Sequence, residues 1–306
     1  MDKTTEELLG IVSDWSGKFE GAYNIRENGQ CAGRVSSENI KIESMEDKPG
    51  LEIYIKPGTK GETVYIPACV TKGGIDDLTY NNFHVGEDAD VIIVAGCGVH
   101  TSDGHDVRHN GIHRFILEKG ARVLYKEKHI GTGKGSGAKR IDPVTEIEQK
   151  EDSYLEMDTM QIGGVDSTFR KTKAKLDKGA TLVIKERIMT DGTQTAQTDF
   201  EVELNGEDSG VDLVSRSVAR GNSYQEYHSK ICGNARCTGH SECDAILADN
   251  GRVNAAPELF AGDLDASLIH EAAIGKIAGE QIIKLRTLGL TEEEAEKKII
   301  EGFLRG

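Results

Sequence analysis

Aromatic side chains are scarce in this chain: 5% of 306 residues, with a single Trp. A sugar-binding groove lined with stacked rings is therefore poorly supplied, and the core must be filled by Val, Ile, Leu and Ala. Proline is scarce too, 5 against 36 Gly. Glycine-based turns joining short strands suit that balance better than a helical bundle does. No run of about 18 apolar residues occurs, so no segment can span a bilayer as a helix. The opening residues, Met1-Asp2-Lys3-Thr4-Thr5-Glu6-Glu7, have neither the basic nor the apolar part of an export signal, and a cytoplasmic location is expected. Positive charge is in deficit: 37 Lys and Arg against 52 Asp and Glu leave a net charge of −15. That balance opposes non-specific binding to nucleic acid phosphates. The six cysteines, Cys31, Cys69, Cys97, Cys232, Cys237 and Cys243, are scattered. Without an export signal they are expected as reduced thiols rather than a disulfide framework.

What is present reads mainly as strand. Thr4 to Glu7 fits a capping box, and Leu8, Leu9, Val12 and Trp15 recur at helical spacing, giving a short helix over residues 1–16. From there polar and apolar residues alternate in Asn39–Ile42, Leu51–Ile55 and Thr63–Ile66, with Pro49-Gly50 and Pro57-Gly58 as turns. A unit then recurs: an apolar residue, a polar Gly-containing turn, then an apolar strand. It is found around Asp88, Gly120, Gly179 and Gly251, at uneven spacings of 32, 59 and 72 residues. Stacked short strands with glycine turns make a solenoid; a β-sandwich of similar hairpins fits the same turns. Gly131 to Gly137 lacks the Gly-Lys-Ser/Thr order of a phosphate loop and reads as a flexible loop. Residues 276–288 and 291–304 carry helical spacing, with Gly289 at a helix C′ position and Thr291 to Glu294 as the second cap. Such helices can cap a β-core or dock a partner.

Chemistry concentrates between Gly239 and Ile277. Cys243 lies in Ser241-Glu242-Cys243-Asp244, and fewer than thirty residues later comes the pair His270-Glu271. Thiolate, imidazole and carboxylate are donors that iron or zinc uses. Adjacent strand residues face opposite sides, however, so His270 and Glu271 cannot both serve one metal from a regular strand of one chain. A dimer axis would double one thiolate and one carboxylate into four ligands. A second group, Cys97, His100, His105, His109 and His113, is crowded within seventeen residues. It matches no closed zinc pattern, and Gly104 and Gly111 argue against the helix that would align its histidines. A metal site and a polar loop both remain open there. Cys232 and Cys237 fit no ferredoxin spacing and are expected to be structural thiols.

An ordered set of segments resembles the SufB/SufD family, the scaffold components of the SUF iron–sulfur cluster assembly system. The set comprises Ser215 to Asn222, Ser241 to Asp244, Asn254 to Leu259, His270-Glu271-Ala272 with Gly275-Lys276-Ile277, and Leu288 to Thr291 followed by Gly302-Phe303. Cys243 and the His270-Glu271 pair are similar to the SufB branch, and the chain resembles short homologues that lack an extended N-terminal helical region. Ile269 stands where a further acidic residue can precede the histidine. The resemblance implies a right-handed parallel β-helix with a short N-terminal helix and a C-terminal helical segment. It divides the chain into residues 1–16, a β-helix core over 17–267, and a strand with ATPase-docking helices over 268–306. It also implies a non-enzymatic scaffold that holds a transient iron–sulfur cluster through Cys243, His270 and Glu271. Further implications are a homodimer, a SufC-like ABC ATPase on the apolar face of Ile282, Leu285, Ile299 and Phe303, a sulfur donor, and apo acceptor proteins. The competing functions are a zinc- or other metal-dependent enzyme using Cys97 and His100 to His113, and a polysaccharide lyase or hydrolase. The second is disfavoured by the scarcity of aromatics.

Overall fold

Burial alternates along most of the chain. In Val107–Leu117 and Tyr224–Gly233 every second residue is buried and those between are half-buried. One face of each strand therefore turns to a common interior. The structure, a computed structural model, describes residues 1–305, with Ile162 described by its backbone only. It winds this pattern into a parallel β-solenoid of about eight turns, 58% strand, with three helices. Two ten-stranded sheets face each other. One runs from the Ala22–Glu27 hairpin through Lys60–Val70 and Asp90–His100 to Ser267–Gly275; the other runs from Ile40–Ser44 to Arg252–Ala261. Ile, Val and Leu from both sheets fill the space between them, joined by Phe83, Phe115 and Tyr125.

From Gly50 onward, register partners on successive turns lie 27 to 32 residues apart. This explains the uneven repeat. The step of 59 contains two turns, and the turn between them has Asp152 where its neighbours have glycine. Asp88, Gly120, Asp152, Gly179 and Asp208 are all left-handed, with φ from 54 to 67°. They stack at one corner. Each amide there donates to the next turn's carbonyl, as Asp88 does to Lys119 and Gly120 to Glu151, both at 3.0 Å. Asp and Gly are residues that tolerate this backbone region. The fourth expected member, around Gly251, belongs to a different corner, where Gly192, Gly221 and Asp249 are left-handed and lead into the opposite sheet.

The N-terminal helix spans Lys3–Ser13 and buries Leu8, Leu9 and Val12 against the sheet. Its cap is Asp2, not the expected Thr4. Asp2 is extended just ahead of the first turn, so its carboxylate reaches Thr5 N at 2.8 Å. Gly96 makes the docking close: a Cβ there would lie 2.4 Å from the Val12 carbonyl oxygen. The segment Gly131 to Gly137 is bonded rather than free, since Gly135 and Gly137 donate to Thr101 and Asp103 carbonyls at 3.0 and 3.1 Å. At the other end, helices Gly279–Thr287 and Glu292–Arg305 pack on each other, and Ile300 and Leu304 lie against Val218 of the solenoid wall. Thr291 and Glu294 form the expected capping box, at 2.8 and 3.2 Å.

Candidate functional site in the terminal turns

The interior is not apolar throughout. Glu127, His129, Arg170 and Glu186 occupy inward positions where a strand of this pattern calls for Val or Leu, and all are buried. Arg170 joins them: Nη1 donates to Glu127 Oε2 at 2.7 Å, and Nε lies 3.3 Å from Glu186 Oε1. Glu127 also accepts from Tyr125 Oη at 2.9 Å. Burial works against the Glu127 charge, but His129 and Arg170 outweigh it and hold the carboxyl well below its usual range. Glu186 is pushed up by burial, opposed by Arg170 and by hydrogen bonds from Ser215 (2.9 Å) and Thr198 (3.0 Å). Burial lowers the proton affinity of His129, opposed by the neighbouring Glu127, and its Nδ1 lies 3.3 Å from Arg170 Nη2. Its Nε2 lies 3.3 Å from Glu127 without hydrogen-bond alignment.

This polar run leads to Cys243. Ser215, bonded to Glu186, is the register partner of Cys243 on the next strand, Cys237–Leu247. Cys243 is 1% exposed and belongs to the main core. Burial, then the charges of Glu186 and Asp244, raise its thiol to about 12. Two residues earlier on the same face, Ser241 Oγ bonds Tyr227 Oη at 3.0 Å and Ser229 Oγ at 2.9 Å. The last rung of this sheet, Ser267–Gly275, sets His270 beside Ser241, Glu271 beside Glu242, and Ala272 beside Cys243. Alternation then divides the residues by face. His270 shares the inward phase of Ser241 and Cys243, and its Nδ1 is buried without a partner. Glu271 is exposed on the outer face, with His240 Nε2 at 3.7 Å. Within one chain the structure therefore brings Cys243 and His270 to one side of the wall and Glu271 to the other. A single rung separates Cys243 from the solenoid's end. That end exposes Leu259, Phe260, Ile269 and Ile274.

Comparison with known proteins fits this arrangement. The family model described as "SUF system FeS cluster assembly, SufBD core domain" matches residues 77–303. The chain belongs to the SufBD family. Its relatives include an iron-sulfur cluster assembly SufBD family protein of Archaeoglobus fulgidus, 28% identical over 87% of this chain and 71% of the relative. One from Methanothermobacter thermautotrophicus is 30% identical over 83% of this chain and 62% of the relative. One from Methanocaldococcus jannaschii is 27% identical over 87% and 85%.

Other expected residues of this SufBD chain come together only in part. His100 Nδ1 bonds Thr132 Oγ1 at 2.9 Å, and exposed His105 sits 3.2 Å from Asp103. His109 bonds Asp77 at 3.0 Å, and His113 is pushed down to about 4 by burial. Cys97, His109 and His113 border one small void of about 20 Å³. Among the described residues, however, the group of three or more metal-type donors lying together is His240, Glu242 and Glu271. His100, His109 and His113 stand on strands of the wall, whereas His105 lies in the loop between Asp90–His100 and Val107–Leu117. Cys232 and Cys237 lie on different strands, Cys232 half-buried and Cys237 inward. Of the docking face, Ile282, Leu285, Ile299 and Phe303 are half-buried, while Ile283 and Leu288 are the more exposed. Sequence reasoning missed Glu127, Arg170 and Glu186. The signal was there: in Leu182-Val183-Ile184-Lys185-Glu186-Arg187-Ile188 a carboxylate occupies the apolar phase.

Proposed function

We propose that this chain is the scaffold subunit of a SUF-type complex, on which a cluster is built from iron and sulfide and passed to acceptor proteins. The observation that carries this is a thiol, Cys243, one rung beneath the apolar end of the solenoid and tied through Ser215 to a buried charged run. Deprotonated sulfur is the form that binds iron or accepts sulfur, and a thiol raised by burial gives up its proton only when a cation or a newly exposed, polar environment replaces it. Cys243, with His270 beside it and Glu271 behind the wall, would hold the nascent cluster as the transient cargo where two copies meet end to end. A SufC-like ABC ATPase on the C-terminal helices would open that boundary. A cytoplasmic setting, where sulfide and thiols stay reduced, suits this chemistry.

Anaerobic reconstitution with iron and sulfide tests the proposal directly. The wild-type chain should turn brown and transfer its cluster to an apo ferredoxin, and Cys243→Ala should lose most of both. A Cys243→Ala chain that assembles and transfers as well as wild type refutes the assignment.

A further inference from the structure

We propose that His240, Glu242 and Glu271 form a binding site for one divalent first-row transition-metal ion on the outer wall of the solenoid. One ligand atom from each of the three lies within 4.8 Å of the others. Their convergence follows from sheet geometry. His240 and Glu242 are two apart on one strand and so share its outer face, and parallel register sets Glu271 directly beside Glu242 on the next. The preceding rung contributes Asp212, the register partner of His240. Its Oδ1 accepts from His240 Nδ1 at 2.8 Å, which leaves Nε2 as the nitrogen on the Glu271 side, 3.7 Å from its carboxylate. A carboxylate that holds the far nitrogen of an imidazole is the usual support of a metal-binding histidine.

Charge favours the same conclusion. Asp212, Glu242, Asp244 and Glu271 all face this patch, and the cation beside them is Arg216, 3.9 Å from Glu242. Of the three ligands, Glu242 is the least exposed. One imidazole with two carboxylates selects iron, manganese, cobalt or zinc over the all-oxygen preference of calcium and magnesium. The strand backbone lies between this site and Cys243, so the ion and the thiol are held on opposite faces. This deepens the scaffold proposal by giving iron its own landing place apart from sulfur. It rests on that proposal only for the use made of the ion.

The test is anaerobic titration of the full chain with Co(II) in excess Mg(II), followed by calorimetry and by the visible cobalt bands. The wild-type chain should bind one Co(II), without a sulfur-to-cobalt charge-transfer band. His240→Gln and Glu242→Gln should each abolish stoichiometric binding, and Asp212→Asn should weaken it about tenfold or more. Cys243→Ala should bind as wild type. These outward side chains leave the core intact, which unchanged thermal melting would verify. Absence of binding by the wild-type chain, unaltered binding by both glutamine variants, or a charge-transfer band lost in Cys243→Ala would each overturn the site. Co(II) binding by a chain that assembles no cluster would instead overturn the scaffold proposal and leave the site standing.

Discussion

Replacing Arg170 with Met would leave Glu127 and Glu186 facing each other in the interior without their shared cation. Breaking a buried ion pair from one side costs about 3–5 kcal/mol, so a lower denaturant midpoint is expected, with part recovered in Arg170→Met/Glu127→Gln. Acid should unfold the protein for a related reason. His113 titrates near 6.5 when unfolded but is pushed down to about 4 in the fold. Between those values the unfolded chain holds the extra proton, so stability falls as pH drops from about 6.5, by at most about 1.4 kcal/mol per pH unit for this group. Below the ordinary glutamate range the depressed Glu127 adds a loss of the same sign. Denaturant midpoints of wild type and His113→Gln across pH 4–7 should show the shallower slope in the variant. For Cys243 the expectation is slow alkylation at pH 8 in the folded chain, with exposed Cys31 modified first. Mass mapping of the labelled thiols checks this. Cys243 was legible in the sequence as a residue, yet its depth was not. Burial depends on which rung closes over it, and a strand's own letters do not say how many rungs follow.

Among the elements, the Gly279–Thr287 helix buries none of its residues, whereas Glu292–Arg305 buries Ala295, Ile300 and Leu304. The first helix is therefore the better handle for a partner. Ile283→Asp with Leu288→Asp should leave stability within about 0.5 kcal/mol yet abolish co-purification of the proposed ATPase partner. Ile300→Asp should instead loosen the helix from Val218 and lower the melting temperature. If the Ile283/Leu288 variant retains the ATPase, docking lies elsewhere. At the N-terminus, Gly96→Val would drive a side chain into Val12, an overpacking cost of about 1–3 kcal/mol. Helix and strand identities were readable because their periods, 3.6 and 2, are written in the residues themselves. The turn that carries Asp152 was hidden because Asp and Gly are interchangeable at a left-handed corner, so the corner leaves no single residue type to count.

For the whole molecule, the unpaired edge of Ser267–Gly275 lies next to Leu259, Phe260, Ile269 and Ile274. An open strand edge beside exposed apolar side chains invites a second copy. Sedimentation should find a dimer that Phe260→Asp with Ile269→Asp turns into monomer. With a net charge of −15 on each chain, added salt should tighten the association. The solenoid was foreshadowed by the recurring unit, and its choice over a sandwich came from the family likeness. Neither told which residues would share a side, because that depends on register between strands far apart in sequence.

The rung at 267–275 is one peptide thick, so odd and even positions along it belong to two different solvents. Deleting a single residue ahead of His270 would invert that parity. The imidazole would move to open water and the carboxylate would turn inward toward sulfur, with the composition otherwise unchanged. The partition between wet and dry chemistry here is thus a matter of counting by twos.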